Sequence, residues 1–181
     1  MKIKIYVFLK SIFDDWKLNV YIGGVDLTNG AKIYKDCKVE NLINYSNIDT
    51  CFRTLNNGTS LDNWLEFDFK TKTVELFSYE IRSPSVDTTP NHYMFTPKSW
   101  KIVGSNDRIN WVCLDEQINR SELNGKSNSA HFVCKTPTHN SYRYIRFIQN
   151  DNWGYCQKYD TNISMFEIYG NIFEINMWNN N

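Results

Sequence analysis

The sequence predicts an all-β domain, an antiparallel jelly-roll β-sandwich, and three observations carry that prediction. Apolar residues alternate with polar ones in run after run, as in Trp64-Leu65-Glu66-Phe67-Asp68-Phe69 and Trp100-Lys101-Ile102-Val103-Gly104-Ser105, which is the period of a strand with one buried face. The runs are short and separated by turn-forming Asn, Asp, Ser, Gly and Pro. No sustained 3.6-residue apolar period occurs in the 181 residues. About eight such strands bury their apolar faces against each other as two sheets about 10 Å apart.

Along the chain, residues 1–38 form an N-terminal extension with strand-like patches at Ile3 to Leu9, Val20 to Ile22 and Lys32 to Tyr34, and turn signals at Gly23-Gly24 and Asn29-Gly30. Lys10 and Asp14-Asp15 interrupt its apolar start, which is too short for a membrane span and lacks a signal-peptide pattern. The sandwich is expected over 39–171 and a short tail over 172–181. Within the sandwich, Trp64 to Phe69 alternates, Lys70 to Thr73 fits a tight connection, and Val74 to Ile81 alternates again. Ser83 to Pro97 holds three prolines and no period, so it reads as a loop.

The stretch Pro97 to Trp111 reads as a hairpin: Ser105-Asn106-Asp107 carry short polar side chains that bond locally to the backbone, and Asn110 to Leu114 resumes the alternation. A polar connection from Ile118 to Ser129 follows. Ala130 to Lys135, Tyr142 to Gln149 and Asn162 to Tyr169 supply the last strands. No internal repeat is present.

With 41% apolar and 15% aromatic residues the chain can build one real core. Twenty basic against twenty acidic residues, without a like-charge run, leave no electrostatic footprint for nucleic acid or an anionic membrane. The five cysteines show no CxxC spacing, which argues against zinc; Cys113 and Cys134 sit in apolar runs, where a thiol behaves as a small buried hydrophobe. Four Asn-x-Ser/Thr triplets, at Asn44, Asn57, Asn119 and Asn162, are what chance produces in so asparagine-rich a chain.

Catalysis has little to stand on. His92, His131 and His139 lie in no nucleophile or metal motif. Glu66 and Asp68 share a strand face, as a glycosidase pair would, but alternating acids on a strand ordinarily mark a solvated face. Trp153 lies in the polar run NDNWGYCQKYD between two strands, beside Asn150, Asp151, Asn152 and Tyr155. A flat aromatic face next to planar hydrogen-bonding groups is what sugar recognition requires. Arg53, in CFRTLNNGTS, could fork onto a carboxylate or sugar hydroxyl. No enzymatic activity is expected.

Four ordered segments, WLEFDFKTKTVELFSYEIRS, SWKIVGSNDRINWVCLDEQ, YRYIRF and FEIYG, lie between about Glu40 and Gly170, and together they resemble the discoidin family, also called the factor V/VIII type C or galactose-binding-like domain. The resemblance implies a non-catalytic recognition module whose ligand is a protein partner or a carbohydrate, held by loops at one end of the sandwich; here those are Ser46 to Ser60, Ser83 to Pro97 and Gln149 to Asp160. Some relatives bind membranes through apolar spikes with basic neighbours. Tyr93, Met94 and Phe95 stand here with few basic residues nearby, so membrane binding is not favoured. No cofactor is expected, although the family's calcium site would place Glu167 and Asp49 as candidate ligands. Arg143 and Arg146 match the family's basic strand and imply structural ion pairing. Trp64, Trp100 and Trp111 lie within the strand motifs of the family resemblance, which implies core packing for them. Secreted relatives carry a cysteine directly after the terminal glycine, where this chain has Asn171. That departure and the odd cysteine count point to a reducing, cytoplasmic setting rather than an extracellular or cell-surface one.

Overall fold

The computed structural model describes residues 19–22, 25–26, 39–42, 52–53, 64–85, 95–135, 139–154 and 161–175. Eleven strands occur among them. They are β1 (Asn19–Ile22), β2 (Val25–Asp26), β3 (Phe52–Arg53), β4 (Trp64–Asp68), β5 (Lys72–Arg82), β6 (Pro97–Ser105), β7 (Val112–Gln117), β8 (Ser129–Val133), β9 (Tyr144–Asn152), β10 (Asn162–Ile163) and β11 (Met165–Glu174). All pair antiparallel, in a six-stranded sheet β2-β1-β4-β9-β6-β7, a three-stranded sheet β11-β5-β8 and a short pair β10-β3. The all-β sandwich read from alternation is therefore the fold, without an α-helix among the described residues. Strands β1 and β2, from the N-terminal extension, extend the large sheet beyond β4. Strand β11 runs to Glu174, three residues past the boundary drawn at 171.

The alternation sorts the faces as expected on the inner side. Leu65, Phe67 and Phe69 of the first run, Trp100 and Ile102 of the second, and Ile145 and Phe147 of β9 belong to one buried cluster with Phe166 and Ile168 of β11. Aromatic rings join the two sheets: Phe67 and Phe166 stack at 5.3 Å, and the Trp100 and Phe132 rings meet edge to face at 5.0 Å. Leu42, at the end of the 3-10 turn Val39–Leu42, is buried in the same cluster. A polar relay crosses it as well. The Trp100 indole N–H donates to the Tyr79 hydroxyl (2.8 Å), which donates to Asp115 Oδ2 (2.6 Å), and Gln117 Nε2 donates to the same oxygen (2.7 Å). This relay links β5 to β6 and β7, so it fixes the two sheets to each other, and each group in it is one that could not be buried without a partner.

Two irregularities matter. In β5 the inward residues are Val74 and Leu76, then Tyr79 and Ile81, because the pairing with β11 shifts register between Tyr169 and Gly170 and leaves Phe77 unopposed and exposed. Gly170 makes this possible: a Cβ there would lie 2.1 Å from the Glu75 carbonyl oxygen, so the glycine ending FEIYG is a requirement of backbone approach. The second shift lies in the β6–β9 pairing. Pro97 stands opposite Asn152, Ser99 opposite Asp151 and Trp100 opposite Gln149, which leaves Lys98 on one strand and Asn150 on the other as unopposed residues.

The outer face of the large sheet departs from expectation. Glu66 and Asp68 are 1% and 3% exposed, not solvated. The β6–β7 turn folds over them and brings Arg108, whose φ of 61° is left-handed, to Glu66 Oε1 (Nε, 2.9 Å), while Arg146 donates to Glu66 Oε2 (2.7 Å) and Arg143 to Asp68 Oδ1 (2.9 Å). Trp64 and Trp111 are half-buried here, not in the core, and hold the Arg146 guanidinium between them at 3.9 and 4.1 Å. Only Trp100 of the three packs inside. The structural pairing expected of Arg143 and Arg146 is what the face contains.

Candidate functional site

Strand register decides which loops meet. Pro97 opposite Asn152, and Arg82 opposite both Ser129 and Met165, mark one end of the sandwich. The described ends of the connections from β3 to β4, β5 to β6, β7 to β8 and β9 to β10 lie there, whereas the β4–β5 and β6–β7 turns lie at the other end. The roots of these connections are bonded to one another: Ser83 N–H to Asn128 O (2.9 Å), Trp153 N–H to Thr96 O (3.1 Å), Asn162 N–H to Phe95 O (2.9 Å) and Ser164 N–H to Arg82 O (2.8 Å). Buried Ser83, Thr96, Thr161, Asn162 and Ser164 form a polar layer above the apolar core. The Ser164 hydroxyl donates to Ser83 O (2.9 Å) and accepts from Arg82 Nε (3.0 Å). The described flanks of the expected loops thus converge on a rigid polar collar.

Trp153 stands on this collar. Strand β9 reaches Asn152, so Asn150, Asp151 and Asn152 end a strand rather than belonging to the loop read from the sequence, and Trp153 is the first residue past it. The strand extends because the β6–β9 ladder continues to Pro97 opposite Asn152 despite the polar composition. The Trp153 indole N–H donates to Arg120 O (3.0 Å), which fixes the ring, and the Arg120 N–H donates to Lys98 O (2.8 Å). Trp153 is half-buried: it neither folds wholly into the core nor projects freely. Gly154 follows under constraint, since a Cβ there would lie 2.6 Å from the buried Phe95 ring.

Lys98, which sequence reasoning did not single out, completes the group. Its ammonium sits 5.1 Å from the Trp153 ring centroid and 3.2 Å from Asp151 Oδ2. The shifted register aims it there, because a residue without an opposite number turns its side chain away from the regular pleat. Asp151 Oδ1 also accepts the Asn152 N–H (3.1 Å), and Asn152 Oδ1 accepts the Gly154 N–H (2.9 Å). Arg120 pairs with Glu122, whose carboxyl the guanidinium holds below the usual carboxylate range. A signal for Lys98 was present in the sequence only as a proline immediately before it in a strand, a position that favours an irregular ladder.

The remaining candidates fall as follows. Arg53 lies in β3 opposite Asn162, its side chain outside the described residues, as are Tyr155 and Asp49. Glu167 is buried on β11 and its Oε1 accepts the Ile168 N–H (3.2 Å). Among the described residues no group of three His, Cys, Asp or Glu side chains could hold a metal, and Asp49, the other calcium candidate, lies outside them. The Glu66/Asp68 pair is buried and committed to arginines. His131 is exposed against the Tyr169 ring (5.2 Å), His139 is exposed beside Glu75, and His92 lies outside the described residues. Cys113 is exposed, contrary to the buried role expected, because it faces outward at the start of the edge strand β7; Cys134 is buried. No described helix is long and apolar enough to cross a membrane.

No family model matches the sequence, and no curated protein matches it. Solved structures do. The module CBM32-5 of CpGH89 from Clostridium perfringens, in complex with GalNAc-beta-1,3-galactose, superposes with a TM-score of 0.56 at 8% identity, over 84% of this chain and 95% of that one. CBM32-3 from a family 31 glycoside hydrolase of Clostridium perfringens gives 0.56 at 14%, over 77% and 86%. The CBM32 of AlyQ, in complex with 4,5-unsaturated mannuronic acid, gives 0.51 at 12%, over 82% and 92%. At these identities the likeness is one of fold: the chain shares the galactose-binding-like sandwich of CBM32 modules.

Proposed function

We propose that the chain is a non-catalytic recognition module that binds a carbohydrate at the collar end of its sandwich, with Trp153 as the stacking surface and Asp151, Lys98 and Asn150 beside it. The observation that carries this reading is the half-buried indole itself, held by its own N–H to Arg120 O, with the Lys98 ammonium over the ring and Asp151 paired to that ammonium. A fixed aromatic surface loses little entropy when a sugar stacks on it, and paired polar groups alongside supply the directional bonds. The same fold holds GalNAc-beta-1,3-galactose in one structural neighbour and an unsaturated mannuronic acid in another, which supports the ligand class. Arg53, in β3, and Tyr155 are proposed further contributors.

A glycan array on the purified chain tests the proposal. Saturable binding to a defined set of glycans, lost in Trp153→Ala with the urea midpoint retained, is the expected result. A blank array, with a protein partner retained in pulldown, would replace the carbohydrate reading by a protein-interaction one.

A further inference from the structure

We infer that the Trp153 site selects an uncharged sugar over its acidic counterpart, and that the Lys98–Asp151 pair sets this choice by meeting neighbouring hydroxyl groups as one donor and one acceptor. The inference rests on the carbohydrate reading above and goes further, to the chemistry of the ligand. Lys98 and Asp151 are brought together by the double irregularity at Lys98 and Asn150, not by ordinary pairing across the ladder. Their side chains are 28% and 30% exposed, so both are accessible yet partly desolvated, where a charge left without its counterion costs more than it would in open water.

The charges around the ring balance among the described residues. Lys98 is matched by Asp151, and Arg120 by Glu122. A sugar carboxylate could take a remaining Lys98 N–H only by sharing one ammonium with Asp151, so that two negative charges would face each other across a single positive one. An uncharged sugar draws on capacity the pair has left: an ammonium has three N–H donors, and a carboxylate about four acceptor positions. Asp151 uses one position on the Asn152 N–H and one on Lys98. A hydroxyl can donate to the remainder while its neighbour accepts from Lys98, with no ion pair broken.

The test uses matched oligosaccharides that differ only in a C6 hydroxymethyl or carboxylate group: galactose against galacturonate, glucose against glucuronate, mannose against mannuronate. Titration calorimetry with the full chain should show the neutral member of each bound pair preferred by about tenfold or more, as expected when like charges are brought together at a partly buried site. Affinity for the neutral member should change less than about twofold between low and high salt, since no net charge is neutralised. Asp151→Asn, which leaves Lys98 unmatched, should narrow or reverse the preference. The exchange Lys98→Asp with Asp151→Lys should keep it. A wild-type preference for the acidic member, or an Asp151→Asn ratio equal to wild type, overturns the selectivity while leaving carbohydrate binding in place. Failure to bind any sugar overturns both.

Discussion

Replacing Tyr79 by phenylalanine isolates the relay that ties the two sheets together. The ring, fully buried and stacked on Phe132 at 5.4 Å, keeps its packing, and only the hydroxyl is lost. Two bonds go with it, the donation to Asp115 (2.6 Å) and the acceptance from the Trp100 indole (2.8 Å). Each such bond contributes about 1 kcal/mol net, and the Trp100 N–H, on a side chain with no exposure, then stays unsatisfied at a cost of about 1–3 kcal/mol. The expected loss is about 3–5 kcal/mol, a large share of the 5–15 kcal/mol typical of a domain. Urea denaturation reads it directly: with a slope of about 2 kcal/mol/M the midpoint should fall by about 1.5–2.5 M at unchanged slope. Asp115→Ala combined with Tyr79→Phe should be non-additive by at least about 1 kcal/mol, because the two changes remove one shared bond. A Tyr79→Phe midpoint within about 0.5 M of wild type, or strict additivity, would show that the relay is a by-product of packing and refute the argument.

On the outer face, Arg146→Lys should lower stability by about 2 kcal/mol in the same assay, since an ammonium cannot lie flat between Trp64 and Trp111 while bonding Glu66. Glu66→Gln should cost about 3 kcal/mol by removing the buried negative charge and one of the two oxygens that Arg108 and Arg146 bond; a neutral outcome for either would mean the face is merely apposed. Alkaline pH should destabilise the fold through Cys134, whose thiol burial pushes up from about 9 to about 12. The folded state holds this proton more tightly than the unfolded chain does. Stability is therefore intact below about pH 9 and falls as pH rises toward 12, by about 2 kcal/mol at pH 10.5. Unfolding free energies at pH 8 and 10.5 should show a smaller fall in Cys134→Ala than in wild type, and equal falls would remove Cys134 from the account. Tyr169, pushed up to about 12 chiefly by burial, adds to the fall in both proteins.

What the sequence made legible was the inward face of β4, β6 and β9. Alternation requires only local geometry, so Leu65, Phe67, Trp100, Ile102 and Phe147 could be assigned to the interior from their spacing alone. The outward half was not legible, because alternation says which way a residue points and not what lies over it. Glu66 and Asp68 looked solvated until the turn carrying Arg108 folded across them, a contact of residues some forty positions apart. Trp64 and Trp111 were misplaced for the same reason. At the candidate site, Trp153 and Asp151 stood out by composition, but Lys98 did not, since its position depends on a register shift that only the pairing of two distant strands creates. Asn150 to Asn152 were read as a loop because their own composition is polar, and only the ladder to Pro97 and Ser99, some fifty positions away, makes them a strand.

The collar of Ser83, Arg82 and Ser164 at the roots of the connecting segments has an evolutionary corollary. Its bonds run between main-chain groups or through small hydroxyls that sit beneath the crests, so they ask nothing of the residues higher up. Drift in those crests, whether in length or in chemistry, leaves the foundation satisfied, and one scaffold can exchange its specificity without first having to relearn how to fold.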